Sequence, residues 1–178
     1  METKPIVTER LILRPFEIED AQLIYEMDSN PEVLKFIGIP TTETLVAAKK
    51  TIESVQEQYK TSGIGRWAVI ERESNAFVGW CGLKLITEET NGHSDFYELG
   101  YRFLPDSWGK GYATESAKYW VEFAFSIINC KMLYAMTDPE HNASKHVLEK
   151  LNFKYKETFA YNQEPLIGMA TDWFVMEK

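Results

Sequence analysis

The chain has 178 residues, with 19 Lys+Arg set against 27 Asp+Glu for a formal charge of −8. That length fits one compact domain, and 44% hydrophobic with 13% aromatic residues excludes a disordered chain. No surplus of Lys or Arg is available to displace counterions, which argues against non-specific nucleic-acid binding. The surplus acid is compatible with an amine-bearing substrate and is equally an ordinary solubility feature.

Residues 1–10 are polar and mixed in charge, unlike a signal peptide, and no apolar run approaches the ~20 residues of a membrane span. Residues 10–16 read as a strand stopped by Pro15. Ile18-Glu19-Asp20 leads into a helix through about Met27, and Asn30-Pro31 punctuates it. Leu45, Ala48, Ile52, Val55 and Tyr59 recur at helical steps, which predicts a helix over 42–59, broken by residues 61–65. Strands follow at 66–71 and 77–85, joined by a hairpin loop at 72–75; Gly79 and Gly82 inside the second point to a bulge or a close backbone approach.

Residues 87–95 form a polar loop and 96–104 a strand rich in Tyr, Phe and Leu. Ala113, Ala117, Trp120, Val121, Ala124, Phe125 and Ile128 then make one continuous apolar stripe, the strongest helical pattern in the chain. A strand at 133–137, a helix at 141–151 with Val147, Leu148 and Leu151 inward, and strands at 154–161 and 171–176 complete the chain. The order β-α-α-β-β-β-α-β-α-β-β implies a single mixed α/β domain of about seven strands.

Cys81 and Cys130 stand apart in apolar runs, with no CxxC pair. His93, His141 and His146 lack the spacing of a helical metal site. These patterns predict reduced cysteines, a cytoplasmic location and no metal. The Asn142-Ala143-Ser144 sequon, without a secretory signal, reads as a chance match.

The chemistry concentrates in residues 97–114: a strand, a glycine-containing turn, then a helix. Small residues at 109, 111 and 113 would let phosphates approach the backbone at a helix start, where amides are unpaired and the dipole is positive. The same glycines also suit a strand-to-helix turn that needs their dihedral freedom, and on the glycines alone both readings stand. A Walker A loop needs Ser or Thr after Gly-Lys, but Gly109-Lys110 is followed by Gly111. A Rossmann fingerprint needs a third glycine where Thr114 stands.

Glu98-Leu99-Gly100-Tyr101 and Trp108-Gly109-Lys110-Gly111-Tyr112-Ala113-Thr114-Glu115 resemble the acetyl-CoA motif of the GNAT N-acetyltransferase superfamily, in its RimJ/RimL-like branch. Named members of that branch acetylate ribosomal-protein N-termini. Residues 8–14 (TERLILR), the run 142–144 and residues 147–153 (VLEKLNF) extend the resemblance over 8–177, read as one acetyltransferase domain. It implies a mixed, mostly antiparallel sheet with helices on both faces and strands splayed at the acetyl-CoA site.

It implies further that backbone amides from Trp108 through Thr114, including Lys110 and Tyr112 and chiefly Gly109, Gly111 and Ala113, hold the coenzyme A pyrophosphate. The main chain near Phe103 and Leu104 would pair with the pantetheine arm and supply oxyanion donors. Lys110, Lys145 and Asn142 are further candidate coenzyme contacts.

Ser144 is the candidate acid for the leaving thiolate, because the family's frequent Tyr is Leu148 here. Glu98 is the candidate base for the amine, ahead of Glu71 and Glu73. Glu115 reads as a partner of the helix dipole. Other departures are Trp108, which is common in this branch, His141 where the family has Asn, and Asn152 where Gly usually caps the helix. Trp67, Trp80, Tyr97, Tyr161 and Trp173 are each either core or lining of an acceptor groove.

The resemblance implies direct acetyl transfer to a protein N-terminus or a small-molecule amine, with acetyl-CoA as cosubstrate and no metal, nucleic acid or membrane involved. A homodimer is a frequent state among such relatives. A non-catalytic acyl-CoA-binding or sensor module on the same fold is the alternative.

Overall fold

The computed structural model describes residues 4–178; the first three residues of the polar N-terminal stretch lie outside the described residues. In chain order the elements are β1 (Ile6–Val7), β2 (Leu11–Pro15), α1 (Ala21–Asp28), α2 (Pro31–Leu34), α3 (Leu45–Thr61), β3 (Arg66–Glu71), β4 (Phe77–Ile86) and β5 (Phe96–Phe103). They continue with α4 (Tyr112–Ser126), β6 (Met132–Thr137), α5 (Asn142–Lys150), β7 (Lys154–Ala160) and β8 (Ala170–Glu177), and short 3-10 turns lie at Ile18–Asp20 and Pro105–Ser107. The strands form one sheet in the order β1-β2-β3-β4-β5-β6-β8-β7. Every neighbouring pair is antiparallel except β5 and β6.

The mixed, mostly antiparallel sheet matches the expected class, with eight strands rather than seven. The extra one, β1, is only two residues paired to β2 at Ile6↔Leu13 and Val7↔Ile12. Asn30-Pro31 does more than punctuate. Asn30 Oδ1 accepts the Glu32 amide at 2.9 Å, and Pro31 takes the first helical position, where its missing N–H costs nothing. α3 starts at Leu45, later than the predicted 42, and Thr44 caps it, its Oγ1 accepting from the Ala47 amide at 3.2 Å.

Strand alternation divides the apolar residues between two cores. Trp67 and Val69 of β3, with Leu83, Leu99 and Phe103, pack under Ala117, Trp120 and Ala124 of α4 and Leu148 of α5. On the other face Ala68 meets Ile24 and Met27 of α1, Val33 and Leu34 of α2, and Ile52 of α3. A smaller group of Phe96, Tyr134, Trp173 and Val175 closes the β6–β8 end. Trp67 sits edge-on to Trp120 at 5.2 Å, and Trp173 is buried among Phe96, Tyr134 and Phe159, so both are core residues.

Gly79 and Gly82 mark close approaches, as the sequence suggests: a Cβ would come 2.2 Å from the Arg102 oxygen at Gly79 and 2.5 Å from the Gly65 oxygen at Gly82. Asn152 carries the left-handed cap after α5 at φ 68°.

Candidate active site

β5 and β6 run parallel, and among the described residues they share a single register pair, Glu98↔Tyr134. Beyond that pair no further register pair joins them, which leaves an unladdered wedge between residues 99–103 and 135–137. Leu104 N–H lies on the other side, donating to Val78 O at 2.9 Å. Successive strand amides point to alternate edges, so the Phe103 N–H faces the wedge. The Phe103 carbonyl accepts from Trp108 Nε1 at 2.7 Å, which folds a half-exposed indole against the mouth. Of the two strand-end positions expected to pair with pantetheine, Leu104 thus has its amide engaged by β4, and Phe103 carries the edge.

After the 3-10 turn the chain passes through Gly109 at φ 73° and Gly111 at φ 82°, both left-handed, and enters α4 at Tyr112. An added Cβ at Gly109 would meet nothing within 4 Å, so glycine is needed there for its dihedral alone. The first α4 amides, from Tyr112, Ala113 and Thr114, precede the first intrahelical bond, Glu115 N to Gly111 O at 3.0 Å. They stand at the positive end of a 15-residue helix dipole. An edge of unpaired strand leading to a cluster of free amides fits a ligand with an extended amide-bearing arm and a diphosphate.

Ser144 lies in the first turn of α5, 9% exposed, with its Oγ 3.1 Å from the Tyr101 hydroxyl. Tyr101 also donates to the Ser144 carbonyl at 3.0 Å. One phenol proton cannot serve both acceptors; with it on the carbonyl, the serine hydroxyl donates to the phenol oxygen. Burial pushes the Tyr101 pKa up, so it stays a neutral phenol.

Residues 10–154 match the family model described as an acetyltransferase (GNAT) domain. The chain belongs to the GNAT acetyltransferase family. It is 31% identical to the uncharacterized N-acetyltransferase p20 of Bacillus licheniformis, over 98% of this chain and 94% of that protein. It is 26% identical to the spermidine N(1)-acetyltransferase of Escherichia coli K12, over 79% of this chain and 71% of that one. In fold it is similar to a GNAT acetyltransferase from Bacillus anthracis, with a TM-score of 0.77, 24% identity and 98% of each chain covered. It is likewise similar to the ribosomal-protein-S5-alanine acetyltransferase of Vibrio fischeri, with a TM-score of 0.76, 16% identity, and 98% of this chain and 96% of that one covered. As a GNAT N-acetyltransferase it is an acetyl-CoA-dependent enzyme. No cluster of three or more His, Cys, Asp or Glu able to hold a metal occurs among its described residues.

On the opposite face of this GNAT sheet, Glu98 is not a lone carboxylate. Its Oε2 lies 2.6 Å from Arg66 Nη2, and the two side chains are 13% and 14% exposed. Arg66 reaches it by lying flat over glycine: a Cβ on Gly100 would come 2.6 Å from Arg66 Nη2. Arg66 Nη1 also donates to the carbonyls of Gly82 at 3.1 Å and Glu98 at 3.2 Å. Glu98 Oε1 makes no bond among the described residues, which leaves one oxygen open.

Arg66 and Arg102 each set a guanidinium 5.3 Å from the Trp80 ring centre. Arg102 is in turn paired with buried Asp28 of α1 at 2.6 Å. Tyr161, half-buried in the β7–β8 loop, feels the Glu98 charge, and burial raises its hydroxyl pKa. Trp80 and Tyr161 therefore belong to the Glu98 face, whereas Tyr97 packs on the α4 side. Beyond it, His141 stacks on Phe36 at 4.5 Å, bridging the start of α5 to the α2–α3 connection.

Other sequence candidates lie elsewhere. Lys145 pairs with Asp172 at 2.8 Å, and Asp172 is only 3% exposed, so this lysine pins α5 to β8 instead of facing a phosphate. Glu71 sits behind the glycine turn, bonded to the Ser74 and Tyr112 hydroxyls, which lower its pKa. Glu73 lies in the adjoining hairpin, away from Glu98. Asn142 is exposed at the first position of α5, and Lys110 is exposed with its Nζ 6.0 Å from the Tyr112 ring centre.

Sequence reasoning missed Arg66, Arg102, Asp28 and Tyr101. The available signal for Tyr101 was its place between Leu99 and Phe103 on the core-facing side of β5, where a buried hydroxyl needs a partner.

Proposed function

We propose that this GNAT enzyme moves the acetyl group of acetyl-CoA directly to a primary amine in a ternary complex. The observation that carries the reading is the wedge between β5 and β6, opening from the Glu98–Tyr134 pair toward the left-handed turn. The amides from Gly109 to Thr114 hold the pyrophosphate, and the Phe103 edge takes the pantetheine arm as an added strand. The Phe103 amide donates to the carbonyl oxygen as negative charge gathers there.

The amine enters from the Glu98 face. Glu98 Oε1 receives the ammonium and takes its proton directly or through water. The nitrogen lone pair then bonds the acetyl carbon, the C–S bond breaks as the carbonyl re-forms, the Ser144 hydroxyl protonates the departing thiolate, and the proton then shed by the nitrogen returns through water to the serine oxygen. Residues 8–177 form the acetyltransferase unit, acting in the cytoplasm, where the free thiols of Cys81 and Cys130 stay reduced.

The acceptor is a protein N-terminal amine or a small polyamine-like molecule. The relatives' names support both: one fold neighbour is a ribosomal-protein-alanine enzyme, and one sequence relative is a spermidine enzyme. Thiol release from acetyl-CoA with a panel of amines and peptide N-termini tests this, with Glu98→Gln and Ser144→Ala alongside. Transfer to at least one amine, slowed in both variants, is expected. Tight coenzyme A binding with no transfer to any amine would replace the reading with a binding module.

A further inference from the structure

The motif Thr8-Glu9-Arg10 stands far from the turn in sequence, yet the structure brings it directly beneath. Arg10 Nη1 donates to the Lys110 carbonyl at 2.8 Å. Its Nε and Nη2 grip Glu115 Oε2 at 2.8 and 2.7 Å. The other carboxylate oxygen, Oε1, accepts the Thr8 hydroxyl at 2.6 Å and the Arg10 backbone amide at 2.8 Å. The guanidinium carbon lies 5.0 Å from the Tyr112 ring centre, and an added Cβ at Gly111 would come 3.4 Å from Arg10 Nη2. One side chain thus touches Lys110, Gly111 and Tyr112 in succession, while Glu115 and Thr8 hold it from below.

A turn with two left-handed residues has no ladder of its own to define it. The α4 amides are directed by the helix, but those of Gly109 to Gly111 precede it, and holding the Lys110 carbonyl from outside limits how far they can turn away from a common anion. Arg10 is 46% exposed at its side chain, so the ion pair itself adds little to global stability. Its five donors in a planar fork are instead suited to fixing geometry, with one edge on a carbonyl and the other on a carboxylate.

We propose that Arg10, oriented by Glu115 and Thr8, is a positioning residue for acetyl-CoA that presets the Lys110–Tyr112 turn before the pyrophosphate arrives. The proposal rests on that turn being the pyrophosphate site. A lysine at position 10 would keep the charge but could not span Lys110 O and Glu115 together. Arg10→Lys therefore separates geometry from simple attraction of phosphate.

The test compares two acetyl donors, acetyl-CoA and S-acetylpantetheine, which lacks the pyrophosphate and nucleotide. For Arg10→Ala and Arg10→Lys, KM for acetyl-CoA should rise about tenfold, equivalent to about 1.4 kcal/mol, with kcat held within about twofold. KM for S-acetylpantetheine should change less than about twofold, since that donor makes no use of the turn. Glu115→Gln, which keeps an oxygen for Thr8 and the Arg10 amide, should show the same contrast in milder form and covers the case in which Arg10→Ala does not fold.

Calorimetric titration with coenzyme A and with pantetheine reads the same contrast without turnover. A failure of acetyl transfer and a failure of the clamp are then registered separately. Full rescue by lysine, equal effects on both donors, or unchanged coenzyme A affinity would each overturn the proposal.

Discussion

Arg66→Ala tests whether Glu98 is held as part of a buried pair. The substitution removes the 2.6 Å contact to Glu98 Oε2 and the donors to the Gly82 and Glu98 carbonyls. It leaves a carboxylate that is 13% exposed with no cation beside it. Removing one partner of a fully buried pair costs about 3–5 kcal/mol, and the residual exposure of both heads puts this case near the lower end, about 3 kcal/mol. With a urea dependence of about 2 kcal/mol per molar, the unfolding midpoint should fall by about 1.5 M.

Tryptophan fluorescence is a suitable probe, since Trp80 loses one of the two guanidinium groups packed on it. Arg66→Ala/Glu98→Ala should recover part of the loss, because no uncompensated charge remains. A midpoint shift below about 0.5 M for the single variant, or no recovery in the double, would mean that solvent screens the pair and that Glu98 stands free.

Tyr101→Phe should cost about 1–2 kcal/mol by removing the buried phenol bonds to the Ser144 carbonyl and hydroxyl, read as a lower Tm; an unchanged Tm would argue against the buried pair of bonds. Burial lowers the His141 pKa below its ordinary 6.5, so the native state binds that proton less readily than the unfolded chain. Its contribution to stability is therefore whole above pH 6.5 and declines as pH falls below it, against the opposing pull of Asp138. Urea midpoints between pH 7.5 and 5.5 should drop more steeply in the native chain than in His141→Asn, and parallel slopes would refute this. Gly109→Ala faces open space but a left-handed φ of 73°, so it should lose about 1–2 kcal/mol through the backbone alone. In Gly109→Ala, KM for acetyl-CoA should rise through distortion of the turn, and a KM equal to that of the native chain would dissociate the turn from the donor.

The elements legible in the sequence were those long enough to show a period. The α4 stripe repeats over four turns and β3 to β5 announce themselves by β-branched and aromatic runs between glycine or asparagine turns. β1 is two residues long and α2 four, too short for any period to exist, so their evidence lay in a cap and a pairing partner instead. The strand end, the glycine turn and the helix start were readable as one unit because they follow one another in the chain.

The Glu98 face was not readable, because its partners come from remote segments. Arg66 reaches Glu98 across two glycines, and Asp28 reaches Arg102 from a helix on the far side of the chain order. Lys145 misled for the same reason. A lysine on the first turn of a helix looks available to phosphate until the fold supplies Asp172 beneath it.

The division of the apolar residues into two cores on opposite faces of one sheet has an evolutionary consequence. In the proposed mechanism donor recognition draws on the α4 and α5 layer, while the face that would meet the acceptor is built on Ile24, Met27, Leu34 and Ile52 of the other layer. The central strands pass between them as a rigid partition. Substitutions in the α1–α3 layer can therefore remodel what enters on that side while the coenzyme side keeps its shape, and a lineage can exchange one acceptor for another by drift in a single half of the molecule.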